Sequence, residues 1–248
     1  VAQRRPADAG VTDPARRALL LAAAVLPACA GTTTPPVGAP AGPVAAPVPR
    51  IGDRWQYRVT DRLRGVWIDE PRVEVVEVGD TIRTLTHSRR GGEPTEERFA
   101  SPWIALVEDW YGVRQTYLLP VPVVPAPLEA GRASTFGTTY TALDVPKPRR
   151  WSQRLSTGRW ESVEVPAGRF DCLRIDRVIT FEAPDEQRRN SSRTDVLWYA
   201  PAVGRWIRRD TGGTFISSGL GGANPAEGVQ GLESALRWEL TAWQRAAR

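Results

Sequence analysis

Residues 160–210 read WESVEVPAGRFDCLRIDRVITFEAPDEQRRNSSRTDVLWYAPAVGRWIRRD. Val163 and Val165 alternate with Ser162 and Glu164, Pro166-Ala167-Gly168 marks a turn, and residues 170–181 run back as a long apolar strand. A second pair follows, with Pro201-Ala202-Val203-Gly204 between residues 196–199 and 205–209. Alternation with a period of two, broken by Pro and Gly, predicts antiparallel β-hairpins.

The same pattern extends outward from this stretch. At 51–59, Trp55, Tyr57 and Val59 fall on one face and Arg54, Gln56 and Arg58 on the other, as in a half-buried strand. Strands are predicted around Val73 and Val75, at 81–86, and in two or three short pieces around Trp103, Trp110 and Tyr111. Residues 118–128, LLPVPVVPAPL, resist assignment. Pro120, Pro122, Pro125 and Pro127 exclude a central strand, so the reading is an edge or buried crossover, with an exposed apolar lip as the alternative. Residues 212–231 are Gly-rich and read as loop. Residues 236–242 alternate as a closing strand, although Leu232, Leu236, Leu240 and Trp243 also fit a helix. The fold class is therefore all-β: a curved antiparallel sheet or partly open barrel built of hairpins. An echo of 54–59 in 150–155 raises two similar halves as an alternative.

The 248 residues carry a net charge of +5, and Lys147 is the one lysine. Arginines and acids are interspersed, and the pairs Arg89-Arg90, Arg149-Arg150, Arg188-Arg189 and Arg208-Arg209 are placed at solvated turns and strand ends. No basic block argues for nucleic acid. The ten Trp read as core.

Arg16-Arg17, the apolar run 18–26 and Pro27-Ala28-Cys29-Ala30-Gly31 form a signal peptide with a small-residue cleavage site. The run is too short to span a bilayer, which needs roughly 20 residues. A non-ATG start codon or an over-extended gene start would account for Val1, and the N-terminal region reads as disordered. Leu26-Pro27-Ala28-Cys29 resembles the bacterial lipobox. That resemblance implies cleavage before Cys29, acylation of Cys29 and membrane attachment. Ala30, where a retained inner-membrane lipoprotein carries Asp, implies the periplasmic face of the outer membrane. The expected organisation is a signal peptide at 1–28, a Pro/Ala-rich linker at 29–50, a β domain at 51–217, and a Gly-rich loop with closing strand or helix at 218–248.

Catalytic groups are sparse. His87, the one histidine, reads as a strand-end residue, and no Gly-x-Ser-x-Gly elbow accompanies it. With Cys29 acylated, Cys172 has no intrachain partner and is expected to be buried. One His and one free Cys do not make a zinc site, and Glu96-Glu97 and Asp185-Glu186 lack a calcium-loop pattern. No metal, cofactor or catalytic residue is expected.

Gly52-Asp53-x-Trp55-x-Tyr57, Val165-Pro166-Ala167-Gly168-x-Phe170 and Trp198-Tyr199-x-Pro201-x-Val203-Gly204 resemble bacterial envelope domains of the DUF3108-like group. That resemblance implies a curved antiparallel sheet and transfers no catalytic residue. The expected function is a non-catalytic envelope lipoprotein binding an apolar ligand, lipid or envelope protein on a concave sheet face, with a Trp-lined cavity. The alternatives are a structural or assembly accessory, and a glycan-active enzyme using a carboxylate pair.

Overall fold

In-and-out alternation builds the whole domain. The computed structural model describes residues 40–110, 112–142, 145–185, 187–217 and 229–247. The expected signal peptide, Cys29 and the first half of the linker lie outside them. In β1 (Arg54–Asp61), Trp55, Tyr57 and Val59 are buried while Arg54, Gln56 and Arg58 face out.

Thirteen further strands follow among the described residues: β2 (Val66–Asp69), β3 (Arg72–Val78), β4 (Ile82–His87), β5 (Thr95–Ser101), β6 (Ile104–Trp110), β7 (Val113–Pro122), β8 (Ala133–Ala142), β9 (Val145–Val165), β10 (Gly168–Phe181), β11 (Arg188–Ala200), β12 (Arg205–Ser217), β13 (Val229–Glu233) and β14 (Leu236–Gln244). From β3 to β12, consecutive strands are hydrogen-bonded neighbours. β14 then joins β12 to β1, and β1 pairs with β3. The twelve strands close into an antiparallel barrel, with β2 and β13 attached outside the ring. Full closure, which leaves no long free edge, replaces the partly open form expected from sequence.

Strands β9 and β10 form the predicted hairpin, with Val165 opposite Gly168 and Trp151 opposite Phe181. The segment 236–242 is strand, not helix, and it closes the ring. The two echoed segments have different settings: 54–59 lies in an eight-residue strand and 150–155 inside a 21-residue one.

Outward positions such as Arg150, Ser152, Arg154, Arg174 and Thr180 are exposed. A membrane-spanning barrel has the opposite arrangement, with an apolar outer band and a polar lumen. In this barrel most inward positions are apolar.

One end is closed by packing. Trp103, in the β5–β6 turn, is fully buried at φ 64°, a conformation rare for a bulky residue. Its carbonyl accepts the N–H groups of Val123 (2.9 Å) and Val124 (3.3 Å), and its indole N–H donates to Tyr199 Oη at 3.3 Å. Trp55, Phe99 and Trp206 pack edge-on around it. Residues 118–128 thus split in two. Val121, Val123, Val124 and Leu128 plug the closed end, whereas Leu118 and Leu119 protrude from β7. The Thr138 hydroxyl, not a strand carbonyl, accepts the N–H of Leu119. Pro120 has no N–H to continue the ladder.

Two sets of placements differ from the sequence reading. Gly212 and Gly213 lie inside β12, and Gly231 inside β13. A Cβ on Gly213 would meet Ser192 O at 2.6 Å, and one on Gly231 would meet the Phe215 ring at 2.3 Å. Close approach, not looping, accounts for Gly213 and Gly231, whereas Gly212 has ordinary room. The remaining stretch, 218–228, lies outside the described residues. Two of the arginine pairs are also mid-strand. The Arg209 side chain is largely buried against Asp195, and Arg149 is buried in β9, where it donates to the Pro184 carbonyl at 3.0 Å.

Replacing Trp103 by Ala is expected to cost about 3–5 kcal/mol. Urea unfolding followed by far-UV circular dichroism measures it, and a loss near 1 kcal/mol would mean the closed end does not depend on this plug.

Candidate functional site

The barrel interior is layered. Nearest the closed end lie Trp55, Tyr57, Phe99, Trp103 and Trp206, and nearest the other end lie Trp110, Tyr117, Tyr140, Trp151 and Phe181. In the second group, Tyr117 and Tyr140 meet Trp151 edge-on at 5.1 and 5.7 Å between ring centres. Twelve strands enclose more space than aliphatic side chains alone would fill, and bulky rings occupy it.

Charge lies between the aromatic groups. Arg177 has no solvent exposure. It donates to Asp195 Oδ2 at 2.8 Å, to both oxygens of Glu108 at 3.2 Å and to Gln153 Oε1 at 3.3 Å. Arg209 donates to both oxygens of Asp195 at 2.8 and 2.9 Å. Arg205 donates to Glu97 at 3.1 Å and lays its guanidinium 3.9 Å from the centre of the Trp206 ring. Arg177 and Arg209 also face Trp110. Neighbouring ring faces and carboxylates compensate cations withdrawn from water.

The two carboxylates on the β5–β6 hairpin titrate in opposite directions. Glu97 is held above the ordinary carboxylate value, because desolvation outweighs the attraction of Arg205 and Arg209. At Glu108 desolvation also acts upward and is the largest single influence. Arg177, with help from Arg209 and Tyr117, overcomes it and holds the group below the ordinary value.

Trp110 borders two cavities. A smaller one of ≈ 170 Å³ lies among Glu97, Asp109, Arg205, Trp206, Arg209 and Trp238. A larger one of ≈ 420 Å³ is walled by Val113, Phe181, Ala183, Pro184, Phe215 and Leu232, with Arg193 and Glu233 joined at 2.7 Å on its side. Arg193 lies over the Phe181 ring at 4.2 Å and Arg188 over Phe215 at 4.4 Å. A third groove of ≈ 900 Å³ runs along the outward-facing Gly137, Ser152 and Thr180. The expected largely apolar, Trp-lined cavity or groove does not occupy the middle of the barrel, which side chains fill among the described residues.

The residues singled out from sequence do not converge. His87 ends β4 opposite Arg72. Cys172 is a buried free thiol, pushed well above its ordinary value by burial. Asp185 accepts the Gln187 N–H at 2.8 Å and pairs with Arg188 at 3.4 Å, and Glu186 lies outside the described residues. Glu96 meets Arg83, Arg98 and Arg114. No group of three or more His, Cys, Asp or Glu could hold a metal ion among the described residues. The charged layer was missed. Its one visible signal is Arg177 itself, which occupies an inward position between Ile175 and Ile179.

A closed antiparallel barrel with a filled, charge-containing interior is the class of protein that the geometry defines. No protein family and no curated protein matches the sequence. Among solved structures, the chain is similar to a "putative lipoprotein" of Parabacteroides distasonis, with TM-score 0.48 and 14% identity over 79% of this chain and 97% of that one. It is also similar to a "putative exported protein" with YmcC-like fold from Bacteroides fragilis, with TM-score 0.47 and 11% identity over 82% and 99% of the two chains. The hypothetical lipoprotein YmcC of Escherichia coli gives TM-score 0.40 and 10% identity over 77% and 84%.

Arg177→Met is expected to cost about 3–5 kcal/mol, since it leaves Glu108 buried without its paired cation and Asp195 with Arg209 alone. Arg174→Met, at a partly exposed pair with Asp176, should cost at most about 1 kcal/mol. Equal losses in urea melts would contradict a structural role for the buried layer.

The upward displacement of Glu97 has a defined sign. Below the ordinary value of 4.5 both folded and unfolded states hold its proton. Above 4.5 the unfolded chain ionises first, so this group's contribution declines with rising pH until folded Glu97 ionises too. Glu97→Gln should therefore gain stability relative to wild type as pH rises from 4.5. Glu108→Gln should show the reverse trend, because the contribution of Glu108 is present above 4.5 and lost as pH falls. Urea midpoints measured between acid and neutral pH read both slopes.

Proposed function

We propose that this chain is a non-catalytic lipoprotein of the bacterial cell envelope, anchored by acyl chains on Cys29 at the periplasmic face of the outer membrane. Its barrel mouth holds an apolar or amphiphilic ligand. The observation that carries this reading is the ≈ 420 Å³ cavity, where Phe181, Phe215, Val113 and Leu232 share the lining with Asp185, Arg188, Arg193 and Glu233. That volume lies within the range of about 300–1,000 Å³ usual for small-molecule sites, and the mixed lining suits an amphiphilic occupant. Val113 and Leu232 are exposed at its edge, which suits an occupant entering from a lipid phase.

The ligand site is the mouth and not a concave sheet face, because ring closure leaves no open concave face. The reading is non-catalytic because Glu97 and Glu108 are each committed to a buried arginine, and Cys172 is buried away from His87 at its strand end. The lipobox at 26–29 supports the anchor. The likeness of Val165-Pro166-Ala167-Gly168 and its companion motifs to DUF3108-like envelope domains is consistent with the same address. A second reading, an accessory that docks an envelope protein, draws support from Leu118 and Leu119, which are 75% and 52% exposed on β7.

The test is mass spectrometry of small molecules co-purifying with the membrane-extracted protein, alongside labelled-palmitate incorporation in cells. Wild type should carry an apolar compound and label. Phe215→Ala with Leu232→Ser should lose about tenfold of the bound compound, roughly 1.4 kcal/mol. Cys29→Ser should lose the label. An empty wild-type protein, or cargo indifferent to the double variant, would refute the binding site.

A further inference from the structure

The smaller cavity shares only Trp110 with the larger one. Its walls alternate ring faces, Trp206, Trp238 and Trp110, with the polar side chains of Glu97, Asp109, Arg205, Arg209 and Thr211. Arg205 is 2% exposed and Thr211 5% exposed. Arg205 Nε and Nη1, Thr211 Oγ1 and Asp109 Oδ1 have no hydrogen-bond partner among the described residues. Buried donors and acceptors left unmade are costly, and several in one place call for an occupant. The cations that line the cavity are already paired, Arg205 with Glu97 and Arg209 with Asp195. An added ion would gain little net attraction there. A neutral group that both donates and accepts meets the orphaned atoms without disturbing the ion pairs.

We infer that this cavity of ≈ 170 Å³ is a seat for one neutral sugar ring. The C–H face of the ring would lie on the indoles of Trp238 and Trp206, and its hydroxyls would reach Arg205, Thr211 and Asp109. At about 30 Å³ per water molecule the space corresponds to roughly five or six waters, which a single hexose would displace while replacing their hydrogen bonds. Trp238 is half-buried in β14 and marks the open side. The site is separate from the apolar cavity, so it stands or falls independently of the function proposed above.

Saturation-transfer NMR on the detergent-solubilised full chain, with glucose, galactose and N-acetylglucosamine as probes, tests this. At least one should receive saturation at its ring protons. Thr211→Val and Trp238→Ala should each weaken that probe about tenfold, with thermal midpoints confirming a folded protein. Phe215→Ala, in the neighbouring cavity, should not. Absence of transfer to all three sugars would show a cavity that holds only water. Transfer unchanged by both Thr211→Val and Trp238→Ala, or lost only with Phe215→Ala, would equally overturn the assignment.

Discussion

The fold depends on the pairing of Arg177 with Glu108 and Asp195 in the middle of the barrel. A twelve-stranded ring needs something to fill it, and unpaired charges cannot fill an interior away from water. Here each guanidinium meets a carboxylate and at least one indole face. The strands that supply these groups, β5, β6, β10, β11 and β12, come from opposite sides of the ring. The ion layer therefore fixes strands to one another that share no backbone hydrogen bonds.

The closed end is spent on Trp103 and the plug at residues 121–128, and the middle on ion pairs. What remains inside lies around Trp110, which borders both interior cavities.

Much of the architecture was legible in the sequence because alternation is local. Trp55-Gln56-Tyr57-Arg58-Val59 states its inner and outer faces outright, and Val165-Pro166-Ala167-Gly168 gives a hairpin its turn. Ring closure was not legible, since no residue pattern announces that β14 will sit between β1 and β12. Gly213 and Gly231 read as loop residues because sequence cannot distinguish a glycine needed for a turn from one needed for close approach. The candidate site was less legible still. Arg208-Arg209 looks solvated in a linear reading, and only the fold brings Arg209 to Asp195. Arg177 could have been suspected from its place among inward-facing Ile175 and Ile179, but its partners arrive from far along the chain.

The entry of the chain into the barrel has a mechanical consequence. Val44 exchanges backbone hydrogen bonds with Leu128, at 3.1 and 2.8 Å, and so joins the N-terminal segment to the plug before β1 begins. Tension arriving from upstream of Pro40 would be borne first by that two-bond clasp, and it would act on the sealed pole.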